Sequence, residues 1–153
     1  HGDWFHIEIA AYPEYHPQAP SAHADIANFV RKAKAGADSA MTQYFFNPEA
    51  YFAFVDEVRA QGVEIPIVPG IMPINNFTQL ARFSDACGAE IPRWLRLKLQ
   101  SYGEDTASIK SLGLDVVTSL CEKLLAGGAP GLHFYTLNAA PTVTSIWQRL
   151  NLS

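Results

Sequence analysis

The strongest constraint on the fold is a fourfold alternation of short β-type runs with amphipathic helices. Apolar residues recur every second position in the runs and every three to four positions in the segments that follow them. No Asn-Gly or similar hairpin signal joins two runs, so we expect parallel strands with right-handed crossovers. The predicted strands are 5–11, 39–46, 65–68 and 132–137, and the helices that follow them are 21–35, 47–61, 76–87 and one that opens at Pro141.

Two more helices are expected between the third helix and the fourth strand. A long helix is predicted over residues 106–126, where apolar residues line one side and a Gly-Gly pair ends the pattern. Residues 91–100 alternate leucines with basic residues, as an edge strand would. Their position between two helices favours a short helix instead.

Four βα units in 153 residues indicate half of a larger structure. A complete (βα)8 TIM barrel takes about 250 residues. We therefore predict an α/β fold in which residues 1–153 form one domain, the last four βα units of such a barrel. The competing interpretation is a small doubly wound sheet, although neither GxGxxG nor GxxxxGK[ST] is present. The absence of an initiator methionine and the early first strand lead us to expect a fragment.

Composition excludes several classes of protein. With 48% hydrophobic and 17% charged residues the chain can bury a sizeable core. A net charge of −4 and few basic clusters argue against a nucleic-acid partner. Cys87 and Cys121 lie in helical patterns and are interpreted as buried thiols rather than a disulfide. Without CxxC or HExxH no metal site is expected, and without a membrane span or signal peptide we expect a cytoplasmic protein.

Polar and aromatic side chains follow the predicted strands, at the edge where barrel enzymes keep their chemistry. Residues 12–21, which include Glu14, form the first βα loop, and residues 72–76 and 135–138 follow the third and fourth strands. Taken singly these residues are ordinary, because loop histidines are more often solvated and aromatic residues more often belong to the core. The same holds for two helix faces, which would usually be solvated or mixed surface: Asp25, Asn28, Arg31 and Lys32 on the first, Gln79 and Phe83 on the third.

Five motifs together are more specific than their spacing. AAYPEYHPQA, AD-x-x-N-x-x-RK, TQYFF, VPGIMPINNFTQ and HFYTLN occur in that order. They closely resemble the C-terminal half of the methylenetetrahydrofolate reductase family over essentially the whole chain. The resemblance implies strands five to eight of a TIM barrel that binds FAD. It also implies reduction of 5,10-methylenetetrahydrofolate to 5-methyltetrahydrofolate by NADH or NADPH, a reaction of one-carbon metabolism and methionine biosynthesis.

The resemblance also implies roles for individual residues. Gln43 would contact both the nicotinamide and the folate, each in its turn, while Gln79 and Phe83 would contact the folate. In this relay the reduced nicotinamide gives hydride to the flavin and leaves, and the folate then occupies the same face. The basic pair of the first helix would lie near the FAD diphosphate, because phosphates favour charge-assisted donors. The implied FAD contacts are Tyr12, His16, Ala19, Asp25, Asn28, Arg31, Lys32, Tyr135 and Leu137.

Two departures from the family pattern limit these roles. Ala139 stands where some members carry an arginine that contacts folate. The family's general acid, a glutamate, belongs to the first half of the barrel and is not in this sequence. We therefore expect the chain alone to be inactive, to need the remaining half, and to belong to a homo-oligomer. The alternative is a non-catalytic half-barrel whose open edge strands associate with a partner chain or a second copy.

Overall fold

A computed structural model describes residues 4–152 of the chain. Parallel strands alternate with helices along the described residues, as the sequence predicts. The strands are β1 (Glu8–Ala11), β2 (Ser39–Tyr44), β3 (Ile67–Ile71) and β4 (His133–Phe134). The helices are α1 (Ala22–Lys34), α2 (Pro48–Ala60), α3 (Phe77–Cys87), α4 (Arg93–Ser101), α5 (Thr106–Ala126) and α6 (Ala140–Arg149).

The sheet has the strand order β1-β2-β3-β4, and each strand pairs in parallel with the next one along the chain. A doubly wound sheet requires a point at which the strand order reverses. The described strands contain no such point, so the competing interpretation lacks its defining feature. The predicted α/β fold with a parallel sheet is confirmed.

One side of the sheet is covered and the other is open. Thr42 and Ile67, whose side chains are fully buried, point towards the helices. Met41 and Val68, their neighbours along β2 and β3, remain half-buried on the opposite side. Because successive strand residues face opposite sides, Gln43, two positions after Met41, lies on the open side with it.

Local signals place the helix starts correctly. The side chains of Ser21, Asn47 and Asn76 each accept a backbone hydrogen bond from the first turn of the helix that follows. Pro48 occupies the first position of α2, where its missing N–H costs nothing. The short helix expected near residues 91–100 is confirmed as α4, and the long one coincides with α5.

The strand boundaries required correction. β1 begins at Glu8 rather than Phe5, whose ring is 70% exposed. The sequence predicts that β3 ends at Val68, before Pro69, yet the strand continues to Ile71. A register irregularity in β2 accounts for this continuation, since the N–H of Gly70 bonds to the Thr42 hydroxyl (2.9 Å) rather than requiring a regular ladder.

The last βα unit is also shorter than predicted. β4 contains two residues instead of 132–137. Leu137 (φ 48°) and Asn138 (φ 62°) adopt the left-handed region, so Leu137 cannot continue the strand. The sequence of the last helix predicts a buried face formed by Val143, Ile146, Trp147 and Leu150, and the structure buries this face only in part. Ile146 is buried, but the ring of Trp147 is 47% exposed.

α5 packs directly against the backbone that follows β3. A Cβ atom at Gly113 would lie 2.6 Å from the carbonyl oxygen of Ile74, so only glycine permits this approach. On the same helix Cys121 is fully buried, and burial raises the pKa of its thiol to about 12. Both cysteines are free, as predicted, although Cys87 is only half-buried. None of the helices in residues 4–152 combines the length and apolar character that crossing a membrane would require.

Candidate functional site

The loop between β1 and α1 is held in shape by its own polar groups. The N–H of Tyr15 bonds to the carbonyl of Tyr12, and that of Ala19 bonds to the carbonyl of His16, which forms two successive turns. Asp25 in α1 accepts the backbone N–H of His16 at 2.8 Å, and the rings of Tyr12 and His16 meet edge to face at 4.6 Å. Four predicted cofactor residues are thereby brought together.

A second set of contacts ties this loop to the end of α3. The carboxylate of Glu14 accepts the backbone N–H of Glu90 at 2.8 Å, across 76 positions of sequence. Pro17 packs over Gly88, where a Cβ atom would lie 2.5 Å from the proline Cγ. Burial raises the pKa of Glu14, the hydrogen bond from Glu90 opposes this change, and the Glu90 carboxylate adds to it. The loop therefore depends on a distant segment for its position.

Glu14→Gln should change how the free energy of unfolding depends on pH. Glu14→Ala should lower the free energy of unfolding by about 1 kcal/mol, because the backbone N–H of Glu90 loses its acceptor. The raised pKa in the folded state means that folding disfavours the Glu14 carboxylate. Wild-type stability is therefore lost as pH rises from the unfolded pKa through the folded one. Because glutamine does not titrate, the stability of Glu14→Gln relative to wild type should rise over that window and then level off. Urea unfolding from about pH 4 to about pH 8 measures this difference, and a constant difference would contradict it.

The polar face of α1 lies beside the free edge of β1. Asn28, Arg31 and Lys32 are exposed, and the Lys32 ammonium donates to the carbonyl of Ala10 at 3.1 Å. The carbonyl of Ile7 points towards β2, because it accepts the N–H of Asp38. Carbonyls alternate along a strand, so the Ala10 carbonyl points to the opposite edge, where no strand among residues 4–152 pairs with it. Lys32 thus covers an open sheet edge.

A cleft of about 270 Å³ opens at the carboxyl ends of β3 and β4. The cleft lies between the loops that follow β3 and β4, the exposed side of α3 and the start of α6. Gln79 and Phe83 lie on its α3 wall, opposite Tyr135 and Leu137. The structure therefore brings the predicted folate pair and two predicted FAD contacts into one space. The remaining lining residues are Met72, Pro73, Asn75, Asn76, Leu80, Lys110, Thr136, Ala139, Pro141 and Thr142.

Tyr135 is the anchor of this cleft. Its hydroxyl donates to the carbonyl of Thr42 at 3.0 Å, and its ring meets His133 at 4.9 Å and Tyr44 at 6.2 Å, both edge to face. Burial raises its pKa, and the neighbouring Tyr12 adds to this effect. Tyr135 is therefore held in place by contacts with β2 and β4, and its burial favours the neutral phenol.

Gln43 lies apart from the cleft. It is half-buried on the open side of β2, and its side-chain oxygen accepts the N–H of Tyr44 at 3.0 Å. It shares a narrow crevice with Tyr12 and Cys87, while Gln79 lines the larger cleft. The position of these residues at strand ends predicts that they line one face together, and the structure meets this expectation only in part, because Gln43 is separated from the cleft.

Sequence reasoning missed two features of the site. Lys110 lines the cleft from α5, and the hydroxyl of Thr142 in α6 donates to the side-chain oxygen of Asn75. Neither residue belongs to a local motif, so only the packing of α5 against β3 and of α6 against α5 could reveal them. Among residues 4–152 no group of three or more potential metal ligands occurs.

The family model and the similar proteins point to the same family. The sequence model of the family described as methylenetetrahydrofolate reductase matches residues 1–151. The chain is 41% identical to the 5,10-methylenetetrahydrofolate reductase of Buchnera aphidicola, with 97% of this chain and 51% of the relative covered. It is 38% identical to the Escherichia coli enzyme of the same name, with 97% and 50% covered. The chain spans about half the length of these relatives.

A solved structure has the same fold. The uncharacterized protein from Clostridium thermocellum, described as binding two copies of 5-methyl-5,6,7,8-tetrahydrofolic acid, matches with a TM-score of 0.60. The match covers 91% of this chain and 50% of that protein at 22% identity. At this identity the likeness concerns the fold alone.

Proposed function

The chain belongs to the methylenetetrahydrofolate reductase family, and we propose that it supplies part of the active site of a flavin-dependent oxidoreductase that forms 5-methyltetrahydrofolate. The observation that carries this proposal is the cleft at the carboxyl ends of β3 and β4. It places an amide, Gln79, and two rings, Phe83 and Tyr135, around a space that suits a flat heteroaromatic ligand. The similarity to bacterial 5,10-methylenetetrahydrofolate reductases supports the choice of ligand.

We propose further that residues 1–153 form the C-terminal half of one TIM-barrel domain. Three observations support this arrangement: the sequential strand order, the helices on one side of the sheet, and the match to about half of each bacterial relative. The remaining strands would pair with β1 and β4 and close the barrel. The open side of the sheet would then become the barrel interior.

The chain's residues fit FAD as the cofactor. The rings of Tyr12 and His16 contact each other on a loop that a hydrogen bond to Asp25 holds in place. Arg31 and Lys32 supply two exposed cations for a diphosphate. Lys32 bonds to the Ala10 carbonyl at a free edge, and a neighbouring barrel strand would take over that carbonyl. Closing the barrel would therefore release the Lys32 ammonium for the cofactor.

When bound, the flavin supplies hydride transfer from NADH or NADPH to the folate. The part of this chain is to position both substrates. The Gln43 amide presents a donor and an acceptor, so it can bond to the nicotinamide amide and to the folate in turn. Tyr135 remains a neutral wall of the site, since burial holds its pKa above the usual range. The general acid lies outside this chain in the proposal.

The test is to assemble the barrel from two pieces. Alone, the 153-residue chain should not oxidise NADH in the presence of methylenetetrahydrofolate. Mixing it with the separately expressed upstream half should restore yellow colour and NADH oxidation. Absorbance at the flavin band and at the NADH band measures the two properties.

Two outcomes would count against this proposal. A monomeric 153-residue chain with full reductase activity would contradict the half-barrel arrangement. An inactive dimer that gains nothing from the upstream half would favour the non-catalytic alternative. The exposed Phe5 and Ile7, just ahead of the free edge of β1, give that alternative a surface to use.

A further inference from the structure

The cleft carries an unbalanced positive charge. Its fourteen lining residues include one cationic side chain, Lys110, and no aspartate or glutamate. The local charge of the cleft is thus opposite in sign to the net charge of the chain, which is −4. The cleft therefore favours a ligand that brings a negative charge of its own.

Lys110 is available to such a ligand. Its side chain is exposed, and the ion pair found among residues 4–152, between Arg149 and Asp115, does not involve it. Lys110 is four residues after Thr106, the first residue of α5, so the helix backbone fixes its position while the flexible stem can reach into the cleft. An ammonium without a protein partner can pair with a ligand carboxylate at little cost.

The rest of the cleft defines what that ligand must look like. Phe83 is 37% exposed, and together with Tyr135 it offers aromatic surface. Gln79 adds a side-chain amide. The backbone N–H of Gln79 donates to the cap of α3, so the side-chain amide keeps its donors and its acceptor for the polar edge of a ligand ring. A ligand with a ring system at one end and a carboxylate at the other matches this arrangement.

We propose that Lys110 pairs with a carboxylate of the glutamate tail of bound folate. This inference rests on the proposed function of the cleft. Ala139 lines the same cleft and carries no charge, so the cation for the tail comes from α5 rather than from the turn after β4. Lys110 is thus a specificity residue that distinguishes folates with a tail from pterin compounds without one.

The experiment is a double-mutant cycle between residue 110 and the ligand tail, in the intact assembled protein. Binding of 5-methyltetrahydrofolate and of its tail-less analogue, 5-methyltetrahydropteroylamide, in which a neutral amide replaces the glutamate, is measured by titration for wild type, Lys110→Ala and Lys110→Arg. Lys110→Ala should weaken the folate about tenfold, equivalent to about 1.4 kcal/mol. It should leave the tail-less analogue unchanged, and Lys110→Arg should retain most of the affinity. Lys123→Ala, an exposed lysine further along α5, is the matched control and should have no effect on either ligand.

The outcomes separate this inference from the function on which it rests. Equal weakening of both ligands, or no weakening of either, would overturn the role of Lys110 while leaving the cleft as a folate site. If the wild-type protein binds neither ligand, the proposed function itself fails. Raising the salt concentration should also reduce the wild-type preference for the folate over its analogue, because it screens the pair.

Discussion

Gly70→Ala is expected to lower the free energy of unfolding by about 3 kcal/mol. A Cβ atom at this position would lie 2.2 Å from the carbonyl oxygen of Thr42 and 2.7 Å from the ring of Tyr135. The first contact is with backbone, so no side-chain rotation can relieve it. β2, β3 and the start of the cleft must therefore move apart. Urea unfolding followed by circular dichroism measures the loss.

Gly131→Ala is the matched control for this substitution. Gly131 has no atom within 4 Å of the position that a Cβ would take, and its φ is not in the left-handed region. The same added methyl group should therefore leave stability within about 0.5 kcal/mol of wild type. If both variants lose the same free energy, close packing at Gly70 is not the cause.

Gln43→Glu is expected to slow both half-reactions of the assembled enzyme by about 10- to 100-fold, or about 1.4 to 3 kcal/mol of barrier. A carboxylate can still accept the N–H of Tyr44, as the Gln43 oxygen does at 3.0 Å, so the fold should be retained. It cannot donate a hydrogen bond, which removes half of what the amide offers each substrate. Stopped-flow absorbance follows flavin bleaching by NADH and its return with methylenetetrahydrofolate.

The control is Gln100→Glu, the same change at an exposed position of α4. It adds the same charge to the protein and should leave both rates unchanged. A change of less than about threefold for Gln43→Glu, which corresponds to under about 1 kcal/mol, would remove Gln43 from the site.

Local signals in the sequence account for the helices. Ser21, Asn47 and Asn76 cap helices through hydrogen bonds that span two or three residues. Such bonds depend only on neighbouring residues, so a sequence pattern contains the information. The same reasoning explains why a parallel α/β fold could be predicted. The strand ends could not, because β3 continues through Pro69 and Gly70 by means of a bond to Thr42, 28 positions away.

In the candidate site, too, the sequence predicts some of the contacts between residues and not others. Motifs predicted that Tyr12, His16 and Asp25 act together, and they lie within one loop and the turn of helix that follows it. The family could likewise be named from the motifs, and the match to residues 1–151 confirms it. The functional roles of these residues remain predictions.

The sequence by itself determined the order of strands and helices and their caps, since these depend on residues within a few positions of one another. It also determined the family and the candidate residues, since short motifs identify them. Tertiary structure alone decided which candidates meet. It placed Gln79 with Tyr135 in one cleft, separated Gln43 from them, and brought Lys110 in from α5. It also tied Glu14 to Glu90 across 76 positions. The physical reason is that packing fixes these distances, and no local propensity encodes a contact between segments so far apart along the chain.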